Sequence, residues 1–179
     1  DYLDVCAGTD TGKELEALSW MIETVQQVSD VPLCIDSPNP RIIKEVMPLV
    51  KKEGIINSVS GEGDKCEIIF PLMKDTGWKV IALTCNDGGI PYAASEKIEI
   101  AVQLAEEAHK YDIDPGRIFV DPLVMAVSAV NDSLLIFMEC IREIKRLYPD
   151  IKTTSGLSNI SYGMPCRKAL NLGFLTLAL

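Results

Sequence analysis

The chain lacks several features that would each announce a function. It has no uninterrupted apolar stretch approaching the roughly 20 residues that span a bilayer, and no basic-then-apolar amino-terminal segment of the secretory kind. It has no local Lys/Arg cluster: 26 acidic residues face 17 basic ones, for a formal charge of −9, a poor balance for neutralising a phosphate backbone. Histidine is nearly missing, with His109 alone, expected on a solvated helix end. Six cysteines (Cys6, Cys34, Cys66, Cys85, Cys140, Cys166) form no Cys-x-x-Cys pair. This spacing favours buried free thiols over a disulfide framework or a protein-bound metal. The expectation is a soluble, cytoplasmic protein with neither nucleic acid nor membrane as partner.

What is present is a regular alternation. With 47% hydrophobic residues in 179, and no flexible linker, the chain reads as one globular unit with one core. Tyr2 to Cys6 reads as a strand and Lys13 to Val28 as a helix with Leu15, Leu18, Met21, Ile22, Val25 and Val28 on one stripe. The pattern repeats: strand Pro32 to Ile35 with helix Pro40 to Lys51, then strand Ile55 to Ile56 with helix Gly63 to Thr76. Strand Lys79 to Thr84 precedes helix Ala94 to Tyr111, with Ile98, Ala101, Val102, Ala105 and Ala108 as its apolar face. Strand Arg117 to Val120, helix Asp132 to Leu147, strand Ile151 to Ser155 and helix Lys168 to Leu179 complete the series. Successive βα units predict an α/β fold with a parallel sheet and right-handed crossovers, either doubly wound or part of a closed barrel.

Four of these units end alike. Cys34-Ile-Asp-Ser-Pro-Asn39, Ile55-Ile-Asn-Ser58, Phe119-Val-Asp-Pro-Leu123 and Gly156-Leu-Ser-Asn-Ile-Ser161 each set an acid or amide directly after a strand-like apolar run. In parallel α/β proteins the residues past the carboxyl ends of strands emerge on one face. Asp36, Asn57, Asp121 and Asn159 are therefore expected to converge, and two acids with two amides suit a hydrogen-bonding heterocycle. The competing reading of each residue is turn formation or helix capping, with Asp36 where an N-cap would sit and Asp121 before a proline.

These landmarks, in order, resemble the pterin-binding methyltransferases that use methyltetrahydrofolate and a corrinoid protein. The match runs nearly end to end: Leu3, Asp4 and Gly8; Cys34-Ile-Asp-Ser37; Ile56-Asn-Ser58; Leu83-Thr84; Asn86; Gly89-Ile-Pro91; Asp121-Pro-Leu123; Gly156 to Ser161; and Arg167. The resemblance implies a (β/α)8 barrel of the pterin-binding type. A full barrel usually takes roughly 250 residues, so residues 1–179 would be a single domain of about six βα units without the first and last. It further implies that Asp36, Asn57 and Asp121 hold the ring, with Asn86, Ser158 and Arg167 as further folate contacts. Asp121 would accept from the 2-amino group and N3–H, Asn57 would serve the N1/N8 edge, and Asp36 would accept from N8–H.

Asn159 would stand near N5, where an amide donor assists methyl transfer between N5 and the cobalt of a corrinoid carried by a partner protein. A homodimer is compatible with the family. Cys6 and Tyr162 depart from the family pattern, standing where relatives often carry Asn and Gln.

Two other functions use the same ring-binding residues. Dihydropteroate synthases share the barrel but place Ser-Arg-Lys after the penultimate strand, where this chain has Gly156-Leu-Ser-Asn159; Cys166-Arg-Lys168 comes several residues later. A non-catalytic folate-binding domain that docks a corrinoid protein is the third reading. Gly61-Glu-Gly63 before a helix invites comparison with a phosphate loop but lacks the following Lys-Ser/Thr.

Overall fold

The computed structural model describes residues 1–8 and 12–179. Six strands alternate with six helices: β1 Leu3–Cys6, α1 Glu14–Val28, β2 Leu33–Asp36, α2 Pro40–Val46, β3 Ile55–Gly61, α3 Lys65–Met73, β4 Lys79–Asn86, α4 Ala94–His109, β5 Ile118–Asp121, α5 Ser133–Leu147, β6 Lys152–Thr153 and α6 Arg167–Ala178. All neighbours pair in parallel, and the strand order is the chain order from β1 to β6. A doubly wound sheet reverses its order at a switch point. A monotonic order with right-handed crossovers puts every helix on one face, the arrangement of an incomplete (β/α) barrel.

Side-chain alternation divides the sheet into two faces. Val5, Leu33, Ile35, Ile56, Val80, Ala82, Ile118 and Val120 point outward and join Leu18, Ile22, Ile43, Val46, Phe70, Met73, Leu104 and Ile144 in one continuous core. The intervening residues, among them Asp36, Asn57, Ile81, Leu83 and Phe119, line the concave face and are only half-buried. A second, smaller core of Val124, Phe137, Ile160 and Phe174 lies under the last helix, with the two phenylalanine rings 5.0 Å apart and tilted by 61°. That cluster fixes the segment between β6 and α6.

Several element boundaries differ from the sequence expectation. β3 continues through Gly61 instead of stopping at Ile56, because Val59 and Ser60 pair with Ala82 and Leu83 after a register shift at Asn57/Val59. β6 is only two residues long, since the chain turns at Ser155–Gly156 into the 3-10 segment Leu157–Ser161. α2 gives way at Met47 to a 3-10 turn containing Pro48, whose ring cannot continue an α-helix with a full hydrogen-bond ladder.

The buried stripes also rotate relative to expectation. In α1, Leu15 and Val28 are exposed while Glu14 is buried. In α4, Ile98 and Val102 are half-buried, and Lys97 with Ile100 and Leu104 takes the inner face. Cys6 and Cys166 are exposed, contrary to the expectation of uniformly buried thiols. His109 closes α4 in solvent, as expected. No helix among the described residues is long and apolar enough to cross a membrane.

Candidate functional site

The concave face carries polar groups at both ends of an apolar floor. Asp36 of β2 stands directly beside Asn57 of β3 in register, and Ser37 N–H donates to the Asn57 carbonyl at 3.0 Å. On β4, Ile81 is opposite Asn57 and Leu83 is opposite Asp121 of β5. Asn57 and Asp121 are two strand spacings apart, about 10 Å across the sheet, and offset by two residues, about 7 Å, along the strands, with Ile81 and Leu83 between them. A flat, polar-edged ring laid on this floor meets hydrogen-bonding groups at both ends.

Asp36 is not a helix cap. The cap of α2 is Asn39, whose side chain accepts from Arg41 N–H at 3.0 Å. Asp36 is left half-buried beside Asp4, Cys6 and Glu14, and its pKa is raised, first by burial, then by the charge of Asp4, with a Cys6 hydrogen bond opposing and Glu14 adding. Glu14 itself is buried and accepts from Ser37 Oγ, while Ser37 Oγ accepts from Asn39 N–H at 3.1 Å. The β2–α2 loop that carries Asp36 is thereby tied to α1. Asn57 lies within β3 rather than past its end, yet alternation still turns it to the concave face.

Asp121 has a structural task that leaves part of its hydrogen-bonding capacity unused. It is 8% exposed; Oδ1 accepts from Leu123 N–H at 2.7 Å and Oδ2 from Gly156 N–H at 3.2 Å. An ionised carboxylate has about four lone-pair positions, so two remain after these bonds. Burial raises its pKa, opposed by the Leu123 and Gly156 amides and by the charge of Lys97.

Gly156 links Asp121 to Asn159. Its N–H binds the Asp121 carboxylate, and its Cα lies under the Asn159 amide, so that a Cβ added at Gly156 would sit 2.8 Å from Asn159 Nδ2. Asn159 does not cap its 3-10 segment, which has no side-chain cap. The segment is held from below by buried Ile160 and by Val127 N–H donating to the Ile160 carbonyl at 3.0 Å, and Asn159 stays exposed above it.

Arg167 and Asn86 are engaged by their own loops. Arg167 donates from Nε to Ser161 Oγ at 3.1 Å and from a terminal nitrogen to the Ser158 carbonyl at 3.0 Å, clamping the turn that presents Asn159. The Ser158 side chain lies in that exposed turn. Asn86 Oδ1 accepts from Gly88 N–H at 2.9 Å, and the Asn86 and Gly89 backbones exchange two hydrogen bonds, which closes the β4–α4 turn. The amide of Gly63 in the Gly61-Glu-Gly63 loop is taken by Asp87 Oδ1 at 2.9 Å, leaving that loop an ordinary cross-link.

Sequence reasoning missed two residues here. Glu14 and Lys97 are both buried charges on helices, and each holds a strand-end loop of the site. The only signal in the sequence is that each falls on the core-facing side once the apolar stripe is rotated by one position.

Residues 4–179 match the family described as pterin binding enzyme. The methylcorrinoid:tetrahydrofolate methyltransferase of Eubacterium limosum is 50% identical over 180 residues, which are 99% of this chain and 66% of that protein. The methionine synthase of Mycobacterium tuberculosis is 31% identical over 188 residues, 97% of this chain and 16% of that protein. The chain thus spans just under two thirds of the first relative and a small part of the second. Among solved structures, the dihydropteroate synthase of Burkholderia cenocepacia superposes with a TM-score of 0.74 at 16% identity, covering 99% of this chain and 72% of that one. The enzyme from Xanthomonas albilineans with 4-aminobenzoic acid gives 0.72 at 18% identity, covering 99% and 69%. At such identities these two establish the barrel architecture.

Proposed function

The chain belongs to the pterin-binding enzyme family, and on that premise we propose that it binds tetrahydrofolate and transfers a methyl group between N5 of the folate and the cobalt of a corrinoid protein. The observation that supports the proposal is the Asp121–Gly156–Asn159 connection: the Gly156 N–H donates to the Asp121 carboxylate and the Gly156 Cα lies against the Asn159 amide. The name and 50% identity of the Eubacterium limosum relative support the same chemistry. They also favour tetrahydrofolate as the methyl acceptor.

Asp121 accepts from the 2-amino group and N3–H of the pterin, using the lone pairs that Leu123 and Gly156 leave free. Asn57 and Asp36 meet the opposite edge, and Ile81 and Leu83 form the floor. Transfer to folate forms the N5–CH3 bond as the Co–CH3 bond breaks, the electron pair staying on cobalt as Co(I) and the N5 proton passing to solvent; the reverse reaction expels N5, which regains that proton from solvent. In either direction charge changes at N5 in the transition state. A hydrogen bond from Asn159 Nδ2 that strengthens as the N5 lone pair becomes available lowers the barrier without itself carrying a proton.

Arg167 supports this reaction by holding the Ser158 carbonyl and Ser161 hydroxyl, which fixes the Asn159 turn; Ser158 and the Asn86 loop border the folate's entry. The same engagement of Arg167 argues against a synthase role, in which a Ser-Arg-Lys segment would offer its cation to a phosphate-bearing substrate. The corrinoid belongs to the partner, so no metal is needed in this chain.

The test is anaerobic reaction of the full-length protein with methyltetrahydrofolate and cob(I)alamin, following loss of the Co(I) absorbance, beside Asn159→Ala. Loss by the unmodified protein, slowed about 10²- to 10³-fold in the variant with folate affinity retained, is the expected result. A folded, folate-binding protein that consumes no Co(I) overturns methyl transfer and leaves the docking role.

A further inference from the structure

We propose that Lys97 is a positioning residue for pterin recognition: its buried ammonium holds the turn after β5 and so positions the Asp121 carboxylate for the ring. The inference rests on the pterin-binding reading for its ligand and on the contacts of Lys97 for its mechanism. Lys97 is 2% exposed on the inner face of α4, where its buried companions Ala94, Ile100, Ala101 and Leu104 are apolar. Its Nζ donates to the Pro122 carbonyl at 2.7 Å and the Leu123 carbonyl at 2.8 Å.

Leu123 is the hinge of this turn. Its φ is +54°, in the left-handed region that side chains bearing a Cβ rarely adopt. Its carbonyl is held by Lys97 and its N–H donates to Asp121 Oδ1 at 2.7 Å, so one residue connects the ammonium to the carboxylate. Thr84 Oγ1 steadies the other side by donating to the Asp121 carbonyl at 3.3 Å.

Packing does not account for a lysine here. A methionine fills a similar volume without desolvating a charge, and two carbonyl dipoles only partly replace the water an ammonium gives up. The titratable groups near Lys97 are Cys140 on α5, Asp121 on β5 and Cys85 on β4; burial lowers its pKa, and the charges of Cys140, Asp121 and Cys85 oppose that only where these groups are ionised, which burial disfavours for both thiols. Among the described residues Lys97 is the one charged side chain acting on Asp121, and it favours the ionised carboxylate against the burial that raises the Asp121 pKa. The lysine therefore supplies both geometry and charge to the group assigned to the pterin edge.

The experiment compares full-length unmodified protein, Lys97→Met, Asp121→Asn and the double variant. Tetrahydrofolate affinity is measured anaerobically, and denaturant unfolding is followed, both from about pH 4 to pH 8. With Lys97 in place, affinity falls on acidification as Asp121 takes up a proton. In Lys97→Met that decline moves upward by about one pH unit and affinity at neutral pH drops about tenfold. Asp121→Asn lacks the decline, and the double variant resembles Asp121→Asn instead of adding the two losses.

Additive losses with an unmoved acidic limb overturn the proposal, because a purely structural lysine changes affinity without shifting that limb. If Lys97→Met does not fold, Lys97→Gln, which keeps donors for the carbonyls but not the charge, decides by the same criterion, with Lys97→Arg expected to restore the limb. If the unmodified protein binds no folate, the pterin reading fails, while the pH dependence of unfolding still decides whether Lys97 and Asp121 are coupled.

Discussion

Replacing Asp121 with asparagine separates the two tasks of this side chain. The Asn Oδ1 still accepts from Leu123 N–H, but its amide nitrogen then faces Gly156 N–H, donor against donor, where Oδ2 now accepts at 3.2 Å. Gly156 is exposed, so water can take its N–H, and losing this acceptor costs about 1 kcal/mol, as for an ordinary hydrogen bond. Removing a carboxyl whose charge burial disfavours offsets part of that, so the folding midpoint is a poor readout and affinity a good one. Loss of the charged acceptor for the pterin 2-amino and N3–H donors removes about 1.5–3 kcal/mol of binding, equivalent to roughly 10- to 150-fold in Kd. Anaerobic equilibrium titration with tetrahydrofolate, beside circular dichroism to establish that the barrel is intact, measures this. A native-like variant that binds within threefold of the unmodified protein would show that Asp121 is a turn former only, and the ring would have to be placed elsewhere.

Gly156→Ala puts a methyl 2.8 Å from Asn159 Nδ2 and displaces the amide; steady-state kinetics should show kcat falling about tenfold or more with a smaller change in KM, and equal effects on both would detach Asn159 from the chemical step. Gly54→Ala drives a Cβ to 1.9 Å from the Leu33 carbonyl oxygen, backbone against backbone, so denaturant unfolding should reveal a loss of more than about 2 kcal/mol or failure to fold. Asp36 has a raised pKa in the folded state, chiefly through burial and the Asp4 charge. Its contribution to stability is therefore fully present below the unfolded carboxyl pKa and lost as pH rises through the higher folded value. Asp36→Asn should gain stability relative to the unmodified protein as pH rises through that window, and a difference constant with pH would remove Asp36 from the acidic cluster of Asp4 and Glu14.

The β2–α2 loop shows how narrowly sequence reasoning works at a strand end. Cys34-Ile-Asp-Ser-Pro-Asn39 contains two residues able to cap α2, and only the observed Asn39–Arg41 bond frees Asp36 for another use. At β5 the opposite holds: Asp121 makes the turn that its Asp-Pro dipeptide suggests, and is also paired opposite Leu83 of the concave face. Arg167 was expected at the site by resemblance alone, and its observed partners, Ser158 and Ser161, lie six to nine residues back across a turn that no periodicity specifies.

Local physics, read along the chain, determined the alternation of six strands and six helices, because apolar periods of about 2 and 3.6 residues are written in consecutive side chains. It also determined the polar residue that closes each of the four strand-end motifs. Strand order was beyond it, since a doubly wound sheet and a barrel use the same units; only the parallel register from β1 to β6 made the choice. The continuation of β3 past Asn57 was decided by pairing with β4, a partner some 24 residues away, and not by the propensity of Asn, Ser and Gly. The buried charges were decided in the same way. Glu14 and Lys97 occupy core-facing positions because a hydroxyl and two carbonyls wait for them there, and hydrogen-bond partners brought from 23 to 26 residues away exist only once the sheet has curved and the helices have docked.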